Sequence, residues 1–229
     1  MAIRAVILDF GGTLADGSID WEEYHRAVQG LLGALGFEVC MNRLREAIAA
    51  ALGRLEEFRA RGDELTFEVV YGHALSMLGV PPDEETLAMI HDVFRRHFRT
   101  TFRPCVEDVL RRLSARYKLA VLSNAISDAP RVALQRSRLM GLLDAVVCSR
   151  DMGVRKPDPR AFLHVLEMLG VEADEAVHVG DSVEADMEGA TAAGMRAIWV
   201  RGGGESGWAG TSIGSICELP KLLSELQDP

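Results

Sequence analysis

The spacing of hydrophobic positions changes character twice along the chain. Ala5 to Phe10 (AVILDF) is a short apolar run followed by Gly11-Gly12, which predicts a buried parallel strand ending in a turn. From Asp20 to about Arg99 apolar residues recur at helical spacing instead, as at Leu44, Ile48, Leu52 and Leu55, and again at Phe67, Val70, Ala74 and Met77. Gly36, Gly62 and Gly79-Val80-Pro81-Pro82 divide that stretch into about four helices, with no strand pattern between them. From Pro104 onward, strands at Leu119–Ser123, Ala145–Cys148, Ala176–Val179 and Ala197–Val200 alternate with helices at Val106–Arg116, Ala129–Leu143, Pro159–Leu169 and Val183–Ala193. A last helix closes the chain at Leu219–Leu226. Strands separated by helix-length segments form right-handed crossovers and a parallel sheet covered on both faces. The expected fold class is α/β: a doubly wound, Rossmann-like parallel sheet from residues 1–16 and 101–229, with a helical domain, 17–100, inserted after the first strand.

Composition narrows the function. With 48 % hydrophobic and 26 % charged residues over 229 positions, the chain reads as an ordinary globular enzyme. A net charge of -9 disfavours a nucleic-acid partner, because an acidic surface repels the phosphate backbone. It does not exclude a small anionic substrate, since a bound divalent cation reverses the local field. No run approaches the roughly 20 apolar residues of a membrane span. The four cysteines, Cys40, Cys105, Cys148 and Cys217, form no CxxC pair and read as single thiols in a reducing compartment, so the cytoplasm is the expected location. Arg201 to Gly210 is Gly-rich but lacks the Lys-Ser/Thr of a phosphate-binding loop and reads as a surface loop.

In a doubly wound sheet, ligands sit beyond the carboxyl ends of the strands. The first strand delivers Asp9 there, the second Ser123-Asn124, the third the loop Arg155-Lys156-Pro157-Asp158-Pro159, and the fourth Gly180-Asp181-Ser182, with Asp186 shortly after. Acids closing apolar strands are costly to leave unpaired, and Asp9 beside Asp181 would repel. A hard cation with oxygen ligands, usually Mg²⁺, resolves that cost. A nucleophilic carboxylate, a metal, a hydroxyl and a lysine are together the parts that phosphoryl transfer needs.

These segments, Asp9-Phe-Gly-Gly-Thr-Leu14, Leu122-Ser123-Asn124, Lys156-Pro157-Asp158-Pro159 and Gly180-Asp181-Ser182-Val-Glu-Ala-Asp186, fall in the order found in the haloacid dehalogenase superfamily, which the chain resembles. The helical domain resembles that family's type 1 cap. The resemblance implies a phosphatase acting on a small phosphorylated metabolite, as monomer or homodimer. Asp9 would attack phosphorus and form an aspartyl-phosphate. Mg²⁺ would be held by Asp9, the Gly11 carbonyl and Asp181, with Thr13 behind them and Asp186 supporting either the metal's outer shell or Lys156. Ser123 and Lys156 would hold phosphoryl oxygens, and Asn124 is counted with them as substrate-binding.

One departure stands out. Family phosphatases usually carry a second Asp two residues after the nucleophile, as general acid and base, and here that position is Gly11. Losing such a group typically costs about 10²–10⁴-fold. Good leaving groups, a replacement acid such as Asp16, or a reaction needing no proton would each accommodate the glycine. The last is 2-haloacid dehalogenation; a catalytically weak binding module is a further alternative. Among the remaining polar and aromatic residues, His178 reads as a satisfied core histidine. His73, His91 and His97 read as surface residues, Asp158 as a turn cap, and Trp21, Tyr24, Phe58 and Tyr71 mostly as core of the helical domain, with one or two of them left to face substrate.

Overall fold

The computed structural model describes residues 2–201 and 207–227. It divides into two compact units, Met1–Asp16 with Thr100–Pro229, and Gly17–Arg99. In chain order the strands are β1 (Ala5–Leu8), β2 (Ala15–Ile19), β3 (Phe98–Phe102), β4 (Lys118–Ser123), β5 (Ala145–Cys148), β6 (Ala176–Gly180), β7 (Arg196–Val200) and β8 (Ser212–Ile213). The helices are α1 (Trp21–Ala34), α2 (Met41–Arg59), α3 (Phe67–Leu78), α4 (Glu84–His97), α5 (Val106–Ser114), α6 (Ala129–Arg136), α7 (Pro159–Leu169), α8 (Gly189–Ala192) and α9 (Leu219–Gln227).

The first unit is the expected α/β layer structure. Its sheet runs β5-β4-β1-β6-β7-β8, with every pairing parallel. Leu8 aligns with Val121 on one side and Val179 on the other, so β1 is central and the strand order reverses across it. That reversal opens a crevice beyond the carboxyl ends of β4, β1 and β6. Alternate side chains feed two cores. Val6, Leu8, Val121 and Val179 pack with α5 and α9 residues such as Leu110 and Leu223, while Ala5, Ile7, Ala120 and Leu122 pack with Phe162 and Val165 of α7.

Several elements depart from expectation. β2 and β3 form a separate two-stranded sheet at the two chain crossings between the units, where no strand was expected. Their mixed burial, unlike the solid apolar runs of the main sheet, explains why they lack a strand signature. The helix expected to reach Leu143 stops at Arg136, because Arg138 takes a left-handed φ of 59°, and a short 3₁₀ turn at Met140–Leu142 follows. The helix expected from Val183 starts as a π-helical turn, Val183–Glu188, before α8. Cys105 and Cys217 are joined in a disulfide, which corrects the reading of four single thiols. Cys40 and Cys148 are free. Half of the glycine-rich loop expected at 201–210, residues 202–206, lies outside the described residues.

The second unit is helical. Asp20 caps α1 by accepting from the Glu22 and Glu23 amides, Thr66 caps α3 and Asp83 caps α4. Its centre is a cluster of rings: Phe67 stacks on Tyr71 at 4.0 Å and on His91 at 4.1 Å, with Tyr24 edge-on to Tyr71. His91 is thus core rather than surface, at 2 % exposure, whereas Trp21, expected in the core, is 45 % exposed. His73 and His97 are half-buried. Among the described residues no helix is long and apolar enough to cross a membrane.

Candidate active site

Asp9 follows β1 directly, and its amide donates to the Val179 carbonyl at 2.8 Å, so the carboxylate projects from the carboxyl edge of the central strand. Lys156 reaches it from the loop before α7: Nζ lies 2.6 Å from Asp9 Oδ1 and 2.5 Å from Asp186 Oδ1. All three side chains are buried. Asp186 has its acceptors occupied, Oδ1 by Lys156 and by His178 Nε2 at 2.9 Å, and Oδ2 by the Ser182 amide at 3.0 Å. Gly180 allows this approach, because a Cβ there would fall 2.2 Å from Asp186 Cγ.

Burial would raise the Asp186 carboxyl, but Lys156 and then His178 outweigh it and hold the group below the usual carboxylate range. Burial likewise works to lower the Lys156 ammonium, yet Asp9 and Asp186 together raise it. Burial lowers His178, so the ring is neutral and its Nε2–H donates to Asp186. Asp9 is the member left short of compensation. Burial pushes it up to about 7, against the pull of Lys156, and the nearby Asp186 and Asp181 add to the rise.

That uncompensated charge has an evident complement. One carboxylate oxygen each from Asp9, Asp181 and Asp186 lies within 4.8 Å of the others. Since Asp186 is taken up by Lys156, His178 and Ser182, Asp9 and Asp181 are the pair that a cation would bridge. Gly12 leaves room for them: its φ is +75°, and a Cβ there would sit 2.1 Å from Asp181 Oδ2. A hard-oxygen set of this kind suits Mg²⁺, which binds through one or two carboxylates and keeps several waters.

The remaining expected residues are placed as follows. Ser123 ends β4, buried. Asn124 acts as a clamp: its Nδ2 donates to the Lys156 carbonyl and its Oδ1 accepts from the Lys156 amide, both at 2.9 Å. Its visible work is to hold the lysine loop against β4, and no substrate contact is needed to account for it. Asp158 caps α7 by accepting from the Arg160 amide. Gly11 has nothing within 4 Å of where a Cβ would sit. Asp16, the sequence candidate for a replacement acid, is paired with Arg103 at 3.0 Å. Arg103 also donates to the Gly12 carbonyl at 3.2 Å, bracing the turn after Asp9. Nothing in its sequence context, Phe102-Arg-Pro104, marks it. His178 was legible as a core histidine, but not as the partner of Asp186.

A family model described as haloacid dehalogenase-like hydrolase matches residues 3–194. A phosphatase of Mycobacterium tuberculosis (strain CDC 1551 / Oshkosh) is 37 % identical over 90 % of this chain and 91 % of its own. Phosphoserine phosphatase of Thermus thermophilus is 35 % identical over 68 % of this chain and 58 % of its own. The chain spans between 51 and 58 % of the length of the first curated relatives it matches. A crystal structure of 2-haloacid dehalogenase from Pseudomonas syringae pv. Tomato DC3000 superimposes with a TM-score of 0.75 at 28 % identity, covering 98 % of this chain and 99 % of that one. With a family model matched over most of its length and the paired acids and lysine at the strand ends, the chain belongs to the haloacid dehalogenase-like hydrolases.

Proposed function

We propose that the protein is a Mg²⁺-dependent phosphatase of a small phosphorylated metabolite, with Asp9 as nucleophile. The observation that carries this reading is the asymmetry of the acid cluster: Asp186 is held by three donors, while Asp9 has only a share of Lys156, which does not offset its burial beside Asp181 and Asp186. A carboxylate substrate with no cation would add charge to that deficit, whereas a cation with a phosphoryl group balances it. Mg²⁺ held by Asp9, Asp181 and the Gly11 carbonyl would neutralise charge on the transferring phosphoryl group.

Lys156 holds Oδ1 of Asp9, so the carboxylate is presented through Oδ2. Oδ2 forms a bond to phosphorus as the ester P–O bond breaks, giving an aspartyl-phosphate and an alkoxide or phenoxide. Water then attacks phosphorus, the acyl-phosphate P–O bond breaks, and Asp9 and inorganic phosphate are regenerated. Ser123 and Lys156 donate to the phosphoryl oxygens. Asp186 and His178 fix the lysine, Asn124 fixes its loop, and Thr13 lies behind the nucleophile turn. The helical unit acts as a cap that selects the substrate and excludes water. With Gly11 in the acid/base position, the leaving oxygen departs without a carboxyl to protonate it, so esters of acidic alcohols are the favoured class.

The fold match to a 2-haloacid dehalogenase, together with Gly11, favours a second reading in which Asp9 displaces halide from carbon. The test is a panel of phosphate esters and 2-chloropropionate, each with Mg²⁺ and with EDTA. Phosphate release that requires Mg²⁺ and disappears in Asp9→Asn supports the phosphatase. EDTA-resistant halide release without phosphate release replaces it with the dehalogenase.

A further inference from the structure

Beside the nucleophile turn, and lined by neither Asp9, Ser123 nor Lys156, lies a cleft of about 250 Å³ at the carboxyl ends of β7 and β8. Its walls include Gly12, Thr13, Arg103, Arg201, Gly214 and Ser215. From these residues we infer a second anion site, for a phosphoryl group, separate from the catalytic phosphate position; it does not depend on the phosphatase reading.

Two independent features point to a ligand. The first is Thr13. The residue is a wall of the cleft yet only 1 % exposed, and its buried Oγ1 has no hydrogen-bond partner among the described residues. A buried hydroxyl without a partner is costly, and native structures keep few of them. A ligand oxygen in the cleft would accept from it. The second is charge. Arg103 spends Nη2 on the Gly12 carbonyl and on Asp16, which leaves its other N–H groups. Arg201 uses its backbone amide on the Ile213 carbonyl, and no ion pair engages its guanidinium among the described residues. The carboxylates nearby are Asp16, already paired with Arg103, Asp181, which lies against Gly12 and within the field of Arg103, and Glu218, whose Oε1 would lie 3.0 Å from a Cβ on Gly214. They narrow the site to a ligand that the Arg201 fork can grip on its own side. A planar guanidinium, a hydroxyl donor and a polar cleft of this size match a tetrahedral dianion better than an apolar or cationic ligand.

The position gives occupancy a consequence. Gly12 lines the cleft, and its α-carbon faces the Asp181 carboxylate so closely that a single added carbon would collide with it. An anion seated against Gly12 and Thr13 therefore bears on the turn that shapes the metal-binding edge, and it does so without occupying that edge.

The test is backbone amide shift mapping of the full chain titrated with inorganic phosphate, with methylphosphonate as a second probe. Saturating shifts at Gly12, Thr13, Gly214 and Ser215 are expected. Arg201→Gln and Thr13→Val should each weaken them roughly tenfold, the loss of one hydrogen bond to a charged group. Ser123→Ala should leave them in place. A stronger response to inorganic phosphate assigns the site to the free ion, and a stronger response to methylphosphonate assigns it to an organic phosphate; both support it. Arg201→Gln changes only an exposed side chain and keeps the test decisive if Thr13→Val folds poorly. Shifts confined to Ser123 and Lys156 and lost in Ser123→Ala, or no saturation at tens of millimolar, would overturn the proposal.

Discussion

The two units bury polar groups in opposite ways. In the α/β unit Asp9 after β1, Lys156 in the loop before α7, His178 within β6 and Asp186 in the turn after it form one connected buried set, with Asp181 at its rim. In the helical unit Glu64 is answered by Arg59 at 3.1 Å, and His91 by Glu68 at 2.9 Å and a stacked Phe67. Burying charge is tolerated in both, but only the first set ends in an acid that its neighbours do not balance. The difference separates buried polarity that serves packing from buried polarity that waits for a ligand. The largest test of it is Asp9→Asn. Turnover should fall at least about 10³-fold, since a covalent nucleophile is lost. Thermal unfolding should show a fold as stable as before or more so, because the uncompensated charge is gone. Retained turnover would move the chemistry elsewhere.

The units also differ in covalent bracing. The Cys105–Cys217 disulfide closes 112 residues of the α/β unit, while Cys40 in the helical unit is free. Cys105→Ser should destabilise the α/β unit by about 2–4 kcal/mol. Amide hydrogen exchange checks this: β1, β4 and β6 should lose protection, and α1 to α4 should not. Equal losses in both units would mean that the units unfold together and that the contrast in bracing has no energetic expression.

What could be read from the sequence follows the same division. β1, β4, β5, β6 and β7 were legible because strands of a parallel sheet covered on both faces are continuous apolar runs, and the acids after β1 and β6 stand out against that background. The ribbon of β2 and β3 was not, because ADGSI and FRTTF carry no solid apolar run. Spacing also cannot reveal a bond between residues 112 positions apart, so the disulfide stayed hidden. Lys156 was legible as a charge in a Pro-flanked loop. The Asn124 clamp that aims it was not, because a side-chain amide bonding to a distant backbone leaves no periodic trace. His91 was misplaced for a related reason: its burial depends on rings contributed by α3, which helical periodicity within α4 does not report.

Gly11 sharpens the comparison from the side of the ligand-binding edge. Its surroundings are open at the Cβ position, and its φ lies outside the left-handed range, unlike that of Gly12. A side chain therefore fits without moving the turn. Gly11→Asp should raise turnover of alkyl phosphates by up to about 10²-fold, and that of p-nitrophenyl phosphate much less. A leaving-group series on both proteins reads this directly. A flat dependence in the wild type, with no gain in the variant, would mean that another acid already serves the site.

The smallest expected effects come from the two buried histidines, which make the cleanest contrast. His178 lies in the sheet at β6, beside Ile7, with Nε2 on the same Asp186 oxygen that Lys156 uses. Replacing it with Leu removes one of three donors to that carboxylate, so Asp186 draws harder on Lys156 and the lysine shifts away from Asp9. Turnover should fall about 10–100-fold, the range seen when an outer partner of a binding group is lost. KM should hold while kcat drops, because the lysine acts most on the charge that develops as the P–O bond breaks. His91 is as deeply buried, and His91→Leu should also lower stability, by about 1–3 kcal/mol, through the lost pairing with Glu68 and the broken ring stack. Its kcat on p-nitrophenyl phosphate should nevertheless match wild type, because Glu68 and Phe67, which it pairs with and stacks on, lie outside the acid cluster. If the two variants instead lose activity in proportion to stability, burial alone sets the effect, and the distinction between packing polarity and ligand-directed polarity fails.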